Sequence, residues 1–205
     1  MLLKTLLLAI TATPVFATNP IGGGRWKKVD PVSNPQQCAG ASIRGDYYIL
    51  PNRPNGSTEG SGCKNGHLRA EQSVKNHYTN GVHQFTGKFK IHSFGGDGIS
   101  LKQTFHGDQG AWHMIAVKKD GMLYSVGGGA KGVIANGVAK VGSTVTINTI
   151  HDLEARTFKV YVNGQQKYAS SSPGGTFGDK YGAYATVTGT GPINVEWTDV
   201  EYYTR

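Results

Sequence analysis

Apolar and polar residues alternate along most of this chain with a period of two. Between His83 and Ile91, Phe85, Gly87, Phe89 and Ile91 interleave with Gln84, Thr86, Lys88 and Lys90. That is the pattern of a strand with one face on a core and one in water. The same reading predicts strands over 67–74, 99–106, 111–118, 122–126, 144–151, 157–162, 181–187 and 193–203. Turn residues punctuate them: Gly95-Gly96-Asp97-Gly98, Gly107-Asp108-Gln109-Gly110, Asp120-Gly121 and Asn163-Gly164. The last is the strongest short hairpin signal in the chain. No segment carries a long apolar period of 3.6. The expectation is an all-β protein, a β-sandwich of jelly-roll type with one sheet curved into a concave cleft. Residues 18–65, rich in Pro, Gly, Asn and Ser, are expected to be extended structure and loops.

The N-terminus changes the setting. Lys4, the apolar run Leu6 to Ile10 and the small-residue site Val15-Phe16-Ala17 read as a signal peptide over 1–17. The run is too short to span a bilayer, so a secreted, extracellular protein is expected, with residues 18–205 forming one domain. In an oxidising compartment Cys38 and Cys63 are expected to pair. Asn55-Gly56-Ser57 is an acceptor site for N-glycosylation in a eukaryotic host. The formal charge of +8 suits an anionic partner. The basic residues are spread out, as in Lys88/Lys90 and Lys118/Lys119, and no dense run points to nucleic acid. A monomer acting on an acidic polysaccharide, without membrane or nucleic-acid partners, is the expectation.

Candidate chemistry gathers on strand faces. Lys180, Gly182, Tyr184 and Thr186 share one face; Tyr181, Ala183, Ala185 and Val187 share the other. An ammonium beside a phenol can hold a proton donor or acceptor against an anion. His67, Arg69, Glu71 and Ser73 share another face. Arg69 can grip a carboxylate with two parallel bonds, Glu71 can hold Arg69, and His67 can act as a base. A cross-strand ion pair with a bystander histidine would use the same residues. Gln103 alternates with Ile99, Leu101 and Phe105, against Lys102, Thr104 and His106. Periodicity leaves open whether the Gln103 face is core or cleft.

The order of three short motifs resembles the alginate-lyase-like polysaccharide lyases. They are Arg69-Ala70-Glu71, Gln103-Thr104-Phe105 and Lys180-Tyr181-Gly182-Ala183-Tyr184. The last, followed by Gly189-Thr190-Gly191-Pro192 and Trp197, looks closer to family 20 glucuronan lyases than to family 7 alginate lyases. The resemblance runs from Leu68 to the C-terminus and implies a concanavalin-like sandwich with its substrate in the concave cleft. Three positions depart from the family 7 pattern: Ser73 replaces its second arginine, Phe105 its histidine and Thr186 its final glutamine. The resemblance assigns Tyr184 as catalytic tyrosine and Gln103 and Arg69 as the groups that neutralise a uronate carboxylate. Lys180, Glu71 and His106 are expected around the substrate.

These parts suit β-elimination from a β-1,4-linked polyuronate. The C5 proton becomes acidic once the neighbouring carboxylate is neutralised. In glucuronate and mannuronate the C5 hydrogen and O4 lie on one side of the ring, so one tyrosine can serve as base and then acid, with His67 assisting. The missing motif histidine therefore favours glucuronan, with polymannuronate of alginate as the alternative. No cofactor is required; the seven histidines lack zinc spacing, and although a structural calcium is common in the loops of such sandwiches, the loop sequence identifies no site for one. Two rivals remain. A glycoside hydrolase would need two flanking carboxylates; Glu196, Asp199 and Glu201 are near in sequence, but on a regular strand Glu196 faces away from the others. A non-catalytic carbohydrate-binding module would stack sugars on Trp112, Trp197 or Tyr202.

Overall fold

The computed structural model describes residues 20–56, 63, 66–75, 77–127, 132–185 and 191–205. The signal peptide, Ser57 of the glycosylation motif, and Thr186 and Val187 of the Lys180 stretch lie outside the described residues.

Two antiparallel sheets face each other. The strands are β1 (Lys27–Val29), β2 (Ser33–Cys38), β3 (Ser42–Arg44), β4 (Tyr47–Leu50), β5 (Arg69–Val74), β6 (Val82–Phe94), β7 (Gly98–His106) and β8 (Ala111–Lys118). They continue as β9 (Leu123–Gly127), β10 (Gly132–Ala135), β11 (Thr144–Asp152), β12 (Thr157–Val162), β13 (Gln165–Ser171), β14 (Phe177–Ala185) and β15 (Ile193–Thr204). The first sheet runs β13-β12-β11-β6-β15-β4-β3, with β1 also on β15. The second runs β10-β9-β8-β7-β14-β5-β2. This is the jelly-roll sandwich that the alternation predicts.

The core is built from the inward positions of both sheets. Phe85, Phe89, Ile147, Val160 and Trp197 of the first sheet meet Ile99, Leu101, Ile115, Val117, Ala183 and Ala185 of the second. Removing such side chains from water is the main stabilising term, roughly 1.5–3 kcal/mol for each large one. Gly87 sits under the Trp197 ring, where an added Cβ would come within 3.0 Å of it. Asn163 and Gly164 both have positive φ (49° and 78°), the geometry of the tight hairpin turn joining β12 to β13.

Residues 20–56 hold more strand than expected: β2 joins the second sheet through β5, and β3 and β4 extend the first. Cys38, at the end of β2, is bonded to Cys63, 25 residues on. Closing a loop of that length stabilises a fold by about 3 kcal/mol through the unfolded chain. Replacing both cysteines by serine should therefore lower the urea midpoint by that equivalent. An unchanged midpoint would show that the bridge constrains nothing.

Candidate active site

Strand register brings the sequence motifs together on the second sheet. Across β14 and β5, Lys180 faces Ser73, Gly182 faces Glu71, and Tyr184 faces Arg69. Across β14 and β7, Lys180 faces Gln103 and Tyr184 faces Ser100. Residues directly opposite in an antiparallel pair share a face, so Arg69, Glu71, Gln103, Lys180 and Tyr184 form one patch on the outward side of this sheet.

Two irregularities make that patch. On β7 the pairing with β8 steps from Ser100 to Lys102, leaving Leu101 as an extra residue. Such a bulge resets the alternation. Ile99 and Leu101 therefore face the core, while Gln103 and Phe105 turn outward. The strict alternation that grouped Gln103 with Ile99 and Leu101 breaks here, and the open question of its face is answered. The second irregularity lies on β14, where Gly182 and Ala183 together oppose Leu101. Gly182 has φ 142°, and a Cβ there would come within 2.3 Å of the Ala70 carbonyl oxygen. Its own carbonyl accepts a hydrogen bond from Trp197 Nε1 at 3.0 Å. The glycine of Lys-Tyr-Gly-Ala-Tyr is thus required by the backbone.

The side chains form a connected network. Arg69 donates to Glu71 at 2.6 Å, and Gln103 Nε2 donates to the other Glu71 oxygen at 2.5 Å. The Arg69 guanidinium lies 4.3 Å from the centre of the Tyr184 ring. Tyr184 Oη is hydrogen-bonded to His67 Nδ1, and Lys180 stands over Phe105 at 4.3 Å. Glu71 is fully buried. Burial raises its pKa, opposed by Arg69, Lys180 and Gln103. Burial also pushes the Lys180 ammonium down to about 8, against the pull of Glu71 and with Arg69 and Lys75 adding to the lowering. Arg69 is buried, and its Nε has no hydrogen-bond partner among the described residues. One guanidinium donor is thus left unspent beneath the patch.

Chemically, the arrangement is a phenol with an acceptor on its oxygen, a cation against its ring, and amide and guanidinium donors beside it. His67 precedes β5 and reaches the Tyr184 hydroxyl from there. Ser100, opposite Tyr184, was not singled out by the sequence; its hydroxyl is buried without a hydrogen-bond partner among the described residues. Counting β7 through a bulge would have found it.

His106 does not join this patch. It stacks on Phe177 at 4.8 Å and bonds the Gly174 carbonyl at 2.8 Å. Lys102 and Thr104 point inward and are tied to Asp179 at 2.5 and 2.9 Å. The supposed regularity of β15 is also corrected. A shift between Thr198 and Glu201 sets Glu196 opposite Lys90 and Glu201 opposite Thr86, so both acids share the outer face of the first sheet. Each is bonded locally, Glu196 to His92 and Glu201 to Lys28, both at 2.7 Å. The stacking aromatics of a binding module are likewise occupied: Trp197 is a core residue, and Trp112 packs on His151 and Phe177.

Among solved structures, an alginate lyase from Pseudomonas aeruginosa superposes with TM-score 0.64 at 10% identity, covering 80% of this chain and 86% of that one. The alginate lyase from Corynebacterium sp. gives TM-score 0.63 at 14% identity, covering 80% and 81%. The alginate lyase AlgAT5 from polysaccharide lyase family 7 gives 0.56 at 18% identity, covering 87% and 90%. No protein-family model and no curated protein matches the sequence. At these identities the likeness is one of architecture: the chain has the jelly-roll fold of the alginate-lyase-like polysaccharide lyases.

Proposed function

We propose that this chain is a secreted polysaccharide lyase that cleaves a β-1,4-linked polyuronate by β-elimination, with glucuronan as its substrate. The observation that carries the reading is the Tyr184 hydroxyl bonded to His67 while Arg69 covers its ring. Arg69, Gln103 and Lys180 neutralise the uronate carboxylate, so charge moving onto it during proton removal is stabilised where it develops. His67 takes the phenol proton. The Tyr184 phenolate then removes the C5 proton, C4 and C5 become doubly bonded, and the C4–O4 bond breaks. The resulting phenol gives its proton to O4, which leaves as the new chain end, and the phenolate is restored. The chemistry draws on no cofactor.

His67 and Tyr184 touch each other, so they act from one side of the sugar. That favours uronates whose C5 hydrogen and O4 lie on one side, glucuronate and mannuronate. A second reading, polymannuronate of alginate, has its own support. The solved structures that the chain resembles are alginate lyases. Incubation with polyglucuronate, polymannuronate, polyguluronate and polygalacturonate, followed by ultraviolet absorbance of the unsaturated product, separates the readings. A rise with polyglucuronate alone supports glucuronan, and a rise with polymannuronate supports alginate. No rise with any, from folded protein, removes the lyase reading.

The lowered Lys180 pKa gives this site a pH signature. The ammonium is needed to meet the carboxylate, and it is lost as pH rises through about 8. We expect kcat/KM to decline above that point by roughly tenfold per pH unit. Lys180→Arg, which keeps its charge, should carry the decline to higher pH. An alkaline limb identical in both proteins would remove Lys180 from the carboxylate contact.

A further inference from the structure

One end of the sandwich interior holds polar groups that the elimination does not use. His83 and His151 face each other across β6 and β11, and Tyr202 stands opposite Phe85. Asp179 reaches the same space from the second sheet. With Tyr78, which precedes β6, these side chains line a cavity of about 120 Å³. Phe85, Val29 and Val74 give it apolar walls, and the exposed His77 stands at its rim. The hydrogen bonds fix the direction of its polar groups. Ser172 Oγ donates to the Pro173 carbonyl at 3.0 Å, so it accepts from His151 Nε2 at 2.6 Å. Burial lowers the His151 pKa to about 4, which leaves Nδ1 bare, and Tyr78 Oη donates to it at 3.1 Å. The Tyr78 oxygen is then left with accepting capacity. His83 Nε2 donates to the Asn80 carbonyl at 2.7 Å, and burial lowers its pKa, so its Nδ1 is an acceptor too. Asp179 Oδ1 takes both Lys102 and Thr104, and Oδ2 has no hydrogen-bond partner among the described residues.

Acceptors are therefore in excess around this cavity. Tyr202 Oη is buried and has no hydrogen-bond partner among the described residues, so its proton is unspent. Such orphaned buried groups are rare in folded proteins and mark a place for a bound molecule. The occupant need carry no charge. The Lys102 ammonium already lies 2.5 Å from Asp179, and a second buried cation beside it would be repelled. A hydroxyl suits the polar end, because it can donate to Asp179 Oδ2 and accept from Tyr202 at once. A flat apolar body suits the walls, where the Tyr202 and Phe85 rings meet edge to face at 5.4 Å. The space is near that of a single aromatic ring, since a dry cavity of about 150 Å³ takes up benzene. We propose that this end of the sandwich is a binding site for a small neutral phenol, its ring against Phe85 and Tyr202 and its hydroxyl between Asp179 and Tyr202. The site lies inside the fold, on the opposite side of the second sheet from the Tyr184 patch, and it does not rest on the lyase reading.

Phenol itself is the probe, titrated into the full chain and followed by calorimetry and by melting temperature. It should bind at one site with a Kd of about 1 mM and raise the melting temperature as its concentration rises. Toluene has the same shape without the hydroxyl and should bind about tenfold more weakly. Tyr202→Phe keeps the ring and removes the hydroxyl. It should weaken phenol about fivefold and leave toluene unchanged. Val74→Phe fills the cavity and should abolish the binding of both; if that variant does not fold, Tyr202→Phe decides alone. No saturable binding up to about 20 mM phenol, some twenty times the expected Kd, would overturn the site and leave the cavity to water. Toluene binding as tightly as phenol, or phenol affinity unaltered in Tyr202→Phe, would overturn it as well, because the hydroxyl would then have no partner there. None of these readouts is cleavage, so a negative result leaves the lyase reading standing, and a chain that cleaves nothing leaves the phenol site standing.

Discussion

Tyr184→Phe should lower formation of the unsaturated product by about a thousandfold, the usual scale for losing a positioned acid or base, while leaving the protein folded. Two contacts define what the substitution removes. The ring stays, so its packing under Arg69 at 4.3 Å is kept. The hydroxyl goes, and with it the bond to His67. Because Tyr184 is half-buried, losing that bond should cost only about 1 kcal/mol of stability. A catalytic loss far larger than the stability loss is therefore the signature of a reacting phenol. His67→Asn should cause a smaller loss, and its deficit relative to the unaltered chain should narrow at higher pH, where the phenol loses its proton without help. If Tyr184→Phe retains more than a tenth of the activity, another group moves the C5 proton and the proposed mechanism fails.

The sequence made the strands of the sandwich legible because one face of each is apolar. Residues 111–118 and 157–162 match β8 and β12 end to end. What it concealed follows from the same physics. Strand β13 (Gln165–Ser171) is an edge strand, with most of its residues exposed, so burial never imposed an apolar alternation on it. Only the Asn163-Gly164 turn before it signalled a partner. In residues 20–56 the strands are short and gain their order from pairing with distant ones, β2 with β5 and β4 with β15.

Bulges concealed more of the site than loops did. A bulge costs one residue and reverses every later assignment of face. At Leu101 it turned Gln103 from the core to the cleft, and on β15 it placed Glu196 with Glu201. The cluster His67, Arg69, Glu71 and Tyr184 was legible because β5 and β14 pair without a shift between Arg69 and Ser73. His106 was misread for the opposite reason. Its parity with Lys102 and Thr104 was right, but that face is the interior.

The second large effect concerns the buried ion pair beneath the site. Arg69→Met should destabilise the fold by about 3–5 kcal/mol, because Glu71 would keep a buried charge without its nearest cation. Glu71 is fully buried and Arg69 nearly so, which leaves little water to compensate. The loss should depend on pH with a definite sign. Burial already holds the Glu71 pKa above that of a free carboxyl, and removing Arg69 raises it further. Between the unfolded and folded pKa values the native state binds more protons than the unfolded chain, so stability falls as pH rises through that window. The variant should thus be weakest at neutral and alkaline pH and recover toward the unaltered chain on acidification. Adding Glu71→Gln removes the buried charge and should return most of the lost stability at neutral pH, yet cleavage should stay low because no guanidinium meets the carboxylate. Urea unfolding of the single and double variants at acidic and neutral pH reads both predictions. Equal stability of the two at neutral pH would mean that Glu71 is protonated in the Arg69→Met variant, and the destabilisation would then not come from a buried charge.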